Sequence, residues 1–89
     1  VARQIIASGK RYCPHYLGGG IGLVASAHAL AAAGGDGMLE VDININPLRS
    51  DLVGDLLGRQ KGMACLGDAP GLGYEPDFRA VEKYRVSAA

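Results

Sequence analysis

Three observations predict an α/β fold with parallel strands. Residues 11–17, RYCPHYL, read as an extended run; apolar side chains recur at helical spacing through residues 21–33; and residues 38–43, MLEVDI, form a second extended run. A strand, a loop, a helix and a strand in that order imply a right-handed crossover joining two parallel strands.

The elements follow in order. VARQIIASG has the pattern of the second half of an amphipathic helix, with Val1, Ile5 and Ile6 on one side and Gly9 as its stop, so residue 1 is expected to lie inside an element that begins elsewhere. In the first extended run Pro14 is acceptable because it lies near the strand's end. Residues 18–20 are three glycines that form a loop, and Ile21, Val24, Ala25, Ala27, Ala31 and Ala32 then give a helix that Gly34 and Gly35 terminate. Beyond the second run, Asn46 and Pro47 break the chain. Ser50 is the expected N-cap of a short helix carrying Leu52, Val53, Leu56 and Leu57, which Gly54 weakens. Residues 62–66 suggest one more strand, residues 67–73 a turn-rich loop, and residues 76–85 a closing helix with Asp77 in its first turn and Lys83 and Arg85 in its last.

Composition narrows the function. Nine basic residues balance nine acidic ones, and no stripe of Lys and Arg is interleaved with aromatics, so nucleic acid is not an expected partner. The longest apolar run, residues 21–33, carries His28 and falls short of the roughly 20 residues needed to cross a bilayer, so no membrane association is expected. The N-terminus lacks the charged, apolar and small-residue order of a signal peptide. Cys13 and Cys65 stand far apart and outside any CxxC pair, which supports neither a zinc site nor a disulfide. Two buried free thiols in a reducing cytoplasm are expected.

The glycines admit two readings. Gly20, Gly22 and Ala25 satisfy GxGxxA between a strand and a helix, with Glu40 about twenty residues on, as an NAD(P)-binding oxidoreductase requires. Against this, the preceding run carries Arg11, Pro14 and His15 where a buried apolar strand belongs, and Leu17, Gly18 and Gly19 separate it from the fingerprint. In the second reading the chemistry sits on the strand ends. Side chains alternate along a strand, so His15 shares a face with Cys13, and Glu40 with Met38 and Asp42. On neighbouring parallel strands of a barrel, His15 and Glu40 then stand over one opening, about 4.8 Å apart before side-chain reach is counted. The glycines become a tight turn that lets a helix N-terminus approach an anionic ligand.

The ordered motifs PHYLGGGIGLVASAHALAAA, GMLEVDININPLRSDL and GDAPGLGYEPD resemble the C-terminal third of the mandelate racemase and muconate lactonizing enzyme group of the enolase superfamily, over nearly the whole chain. The resemblance implies a (β/α) TIM-type barrel of which residues 1–61 form the C-terminal portion, with residues 11–17 and 38–43 as its last two strands. Residues 62–89 are then a tail that returns to an α+β capping domain. It implies Mg²⁺, bound by carboxylates upstream of this segment with no ligand inside it, holding a small carboxylate substrate while a base removes the neighbouring proton and an enediolate forms.

In the racemase-like branch, rich in acid-sugar dehydratases, that base is a His on the seventh strand, and His15 stands in its place. Glu40 matches a Glu that in its protonated form donates to a substrate carboxylate oxygen. Tyr16, Leu17 and Gly19 follow His15 and are candidate substrate contacts, the alternative being that they only pack. A homo-oligomeric, cytoplasmic enzyme is implied, with the rest of the barrel and the capping domain as this segment's partners. A barrel takes about 250 residues, so the 89-residue chain is expected to be inactive alone. A third possibility is a catalytically silent barrel module. Cys13 is expected in the core below His15, His28 is expected to be structural, and Asp42 either lines the opening or caps the Asn-rich loop.

Overall fold

The computed structural model describes residues 1–54 and 61–87, so Leu56 and Leu57 of the expected short helix lie outside the described residues. It contains α1 (Ala2–Ala7), α2 (Gly20–Ala33), α3 (Pro47–Val53) and a 3₁₀ turn at Glu82–Tyr84. Helix α1 closes at Ser8, and Gly9 takes a left-handed φ of 80° that directs the chain away. Helix α2 is the centre of the molecule. Its Leu23, Val24 and Ala27 form the buried cluster, and Leu39, Val41, Leu66 and Tyr74 pack against it. Gly34, at φ 76°, stops the helix where a side chain would be strained.

Helix α3 begins earlier than expected. Asn46, not Ser50, is its N-cap, in an extended conformation with φ −141°, and Pro47 occupies the first turn. Proline is favoured there because its missing N–H has no intrahelical partner anyway. The Ser50 hydroxyl instead donates to the Asn46 carbonyl at 3.3 Å, one turn back.

The expected strands at residues 11–17, 38–43 and 62–66 are not formed as strands among the described residues, where Met63 makes only an isolated bridge. The first two runs nevertheless lie side by side. Glu40 N–H donates to the Pro14 carbonyl at 3.1 Å, and Met38 N–H donates to Cys13 Sγ at 3.4 Å. A Cβ on Gly37 would overlap the Tyr12 carbonyl. Position advances along both runs together through these contacts, so the runs are adjacent and point the same way. The ladder fails because Pro14 has no N–H to return and the Cys13 thiol takes a donor that a carbonyl would otherwise accept.

Period-two alternation survives without the ladder. Pro14 is buried and Leu39 and Val41 are half-buried toward α2, while Cys13, His15, Met38 and Glu40 are exposed on the other side. Cys13 and Cys65 are therefore both exposed, not buried as expected, and Cys13 shares the open face with His15 instead of filling a core beneath it.

The expected closing helix at residues 76–85 is also absent apart from the 3₁₀ turn. Asp77 Oδ1 accepts from the N–H groups of Arg79 and Ala80, each at 3.0 Å, which starts a turn. No apolar stripe is buried to extend it, since Phe78 is 66% exposed, and a helix this short is marginal in water without packing.

Candidate functional site

The site is built where the two adjacent runs present their open face. His15 Nδ1 lies 2.8 Å from Glu40 Oε1, with the side chains 49% and 58% exposed. One backbone bond sets this juxtaposition, because Glu40 N–H is held by the carbonyl of Pro14, the residue before His15. With Nδ1 committed to the carboxylate, Nε2 is the nitrogen left for proton exchange, and Oε2 is the Glu40 oxygen left for a ligand.

The glycine loop serves close packing. A side chain on Gly18 or Gly22 would overlap the Tyr16 ring, and one on Gly20 would overlap Val53. Gly19, the N-cap of α2, has its Cβ position 3.2 Å from the Leu48 carbonyl. A dinucleotide needs bare backbone at the first two fingerprint glycines, whereas here Val53 and Tyr16 cover them. Tyr16 thus turns onto the glycines, while Leu17 remains exposed and offers its carbonyl to Asn46.

A polar clamp stands beside the pair, of which the sequence offered only the Asp42 cap, as one of two alternatives, and not the Arg49 and Asn46 contacts. Asp42 Oδ1 accepts from Asn44 N–H at 3.1 Å and Asn44 Nδ2 at 2.8 Å, so Asp42 caps the Asn-rich loop. Arg49 Nη2 donates to the Asn44 carbonyl at 2.7 Å, with Nη1 4.0 Å from Asp42 Oδ2. Asn46 Nδ2 donates to the carbonyls of Leu17 at 3.4 Å and Gly18 at 3.0 Å. The signal available in sequence was the polar spacing of DININPLR, in which Asn46 reads only as a chain break.

Away from this face, the Leu72 carbonyl accepts from His28 Nε2 at 3.1 Å, which ties the tail to α2 and gives His28 a structural place. Asp51 receives Lys83 Nζ at 3.1 Å and the Tyr84 hydroxyl at 3.1 Å. The Lys83 hydrogen bond, then that of Tyr84, holds the Asp51 carboxyl below its usual range, and Asp51 in turn raises the Lys83 ammonium. Burial pushes the Tyr74 phenol up, and its hydroxyl has no hydrogen-bond partner among the described residues.

Among the described residues no three His, Cys, Asp or Glu side chains come together as metal ligands. No helix among the described residues is long and apolar enough to cross a membrane.

Residues 1–81 match the family described as Enolase C-terminal domain-like. The chain belongs to this family, and so to the enolase superfamily that its ordered motifs indicate. Neither a curated protein nor a solved structure matches it.

Proposed function

We propose that this chain is the C-terminal part of a barrel enzyme of the mandelate racemase type, which removes the proton beside the carboxylate of a hydroxy acid to give an enediolate. The observation that carries the reading is the 2.8 Å contact between His15 and Glu40 on an open face, in a chain of the enolase superfamily. His15 takes and returns the proton through Nε2, and its exposure leaves that nitrogen accessible to a substrate. Glu40 holds the imidazole through Oε1 and, when protonated on Oε2, donates to the substrate carboxylate oxygen on which charge develops. The Mg²⁺ implied by the resemblance belongs to carboxylates outside these residues. Residues 62–89 contribute to the capping domain, and the assembled enzyme is a cytoplasmic homo-oligomer.

The test is exchange of the substrate α-proton with solvent deuterium, followed by NMR across a panel of hydroxy acids. It uses the complete barrel that contains this chain. Exchange with at least one acid, lost in His15→Asn, is the expected result. Exchange that persists in His15→Asn, or an absorbance change dependent on NAD(P)H, overturns the reading.

A further inference from the structure

We infer that Asn46 is a positioning residue for the His15–Glu40 pair, an inference that rests on reading that pair as the acid–base machinery. His15 is pinned on its N-terminal side by the bond from Glu40 N–H to the Pro14 carbonyl. On its C-terminal side the chain runs out through exposed Tyr16 and Leu17. The Tyr16 ring rests against Gly18 and Gly22, but an apolar contact of that kind does not orient the carbonyls of residues 17 and 18. Asn46 does, with one amide nitrogen donating to both.

The placement of Asn46 supports this division of labour. An Asn at a helix N-cap ordinarily turns its side-chain oxygen onto the N–H groups of its own helix. Asn46 makes no such cap bond; its side chain reaches instead to a segment 28 and 29 residues away in sequence. Its backbone stays with α3, accepting from the N–H groups of Arg49 and Ser50 at 3.0 Å each. Arg49, one turn along the same helix, holds the Asn44 carbonyl, and Asp42 lies two residues after Glu40. The start of α3 therefore joins the chain leaving His15 to the chain leaving Glu40, and Asn46 is the link on the His15 side.

Asn46→Asp isolates this role. Aspartate suits an N-cap as well as asparagine, so α3 keeps its start, but a carboxylate cannot donate to two carbonyls. The experiment uses the full protein with ¹⁵N-labelled histidine, the His15 signals being assigned by their loss in His15→Asn. In Asn46→Asp the ring-nitrogen pattern of an Nδ1-bonded His15 should give way to averaged signals. The thermal midpoint should stay within a few degrees, and kcat should fall by about 10- to 100-fold with KM changed less than about threefold, as expected when a catalytic group is displaced by a fraction of an ångström.

An unchanged His15 pattern with unchanged kcat overturns the inference, and so does a loss of activity that tracks the thermal midpoint alone. Should the unsubstituted protein exchange no α-proton with any hydroxy acid, the acid–base reading fails separately. The nitrogen spectrum then still decides whether Asn46 holds the His15–Glu40 contact.

Discussion

The paired runs that carry His15 and Glu40 and the tail from residue 61 both fold back onto α2 and α3, but different forces hold them. Behind the pair, Leu39 and Val41 pack on Leu23, Val24 and Ala27, and Val24 is only 2% exposed. The tail contributes Leu66 and Tyr74 to the same cluster, yet its later half is tied by surface contacts: Asp77 N–H to the Leu52 carbonyl at 2.8 Å, and Lys83 and Tyr84 to Asp51. Packing loses its stabilisation when a methyl group is removed, whereas an exposed ion pair contributes little and responds to pH and salt. The face that carries the pair should therefore fail with the core, and the tail's end with its charges.

The largest effect is expected at the pair itself. His15→Asn should abolish α-proton exchange on the His15 side and lower kcat by about 10²- to 10⁴-fold, the range for a lost general acid–base, while Mg²⁺ binding measured by calorimetry is retained. A change confined to KM would make His15 a binding residue. Next comes the support beneath it. Leu23→Ala should cost about 2–5 kcal/mol of unfolding free energy measured by urea denaturation, because it opens a cavity in the centre of the cluster. If it loosens the tail and spares the His15–Glu40 contact, the comparison is reversed.

Glu40→Gln keeps a donor of weaker acidity and should lower kcat by about 10²-fold with little change in KM. A raised metal requirement would instead make Glu40 a ligand. The smallest effect is expected at the tail. The Asp51 carboxyl is held below 3.8, so its contribution is present above that value and is lost as pH falls through the lowered one. Lys83 is raised above 10.5, so its share is present below that value and is lost as pH rises through the raised one. Amide exchange at Tyr84, taken relative to the intrinsic rate of an unprotected amide at each pH, should stay constant between these limits and quicken outside both. In Asp51→Asn it should be fast at neutral pH while the His15 ring signals stay unchanged; movement of both would show that the two regions are coupled.

Much of this arrangement was legible. Helix α2 ends at the expected glycine and starts within a residue of the expected position, because its apolar spacing and the left-handed Gly34 are local properties. The adjacency of His15 and Glu40 followed from one connection rule and the two-residue alternation of extended chain. The closing helix did not follow, since its propensity had no buried face to act on. Nor did the true cap of α3, since Asn46 and Ser50 are both good caps and Pro47 decided between them.

By itself, then, the sequence determined α1 and α2, the side-by-side order of the two runs, the superfamily and the two residues that meet on their open face. These depend on side-chain period, turn residues and ordered motifs, which are written along the chain. Tertiary structure alone decided that the runs meet through one backbone bond without a ladder, that both thiols lie exposed, that Tyr16 and Val53 cover the glycines, and that Asp42, Arg49 and Asn46 clamp the exits of the pair. The backbone bond, the Val53 cover and the Asn46 link depend on groups that meet across more than twenty residues of chain, and a donor or a methyl group carries no mark in sequence of the partner it will find.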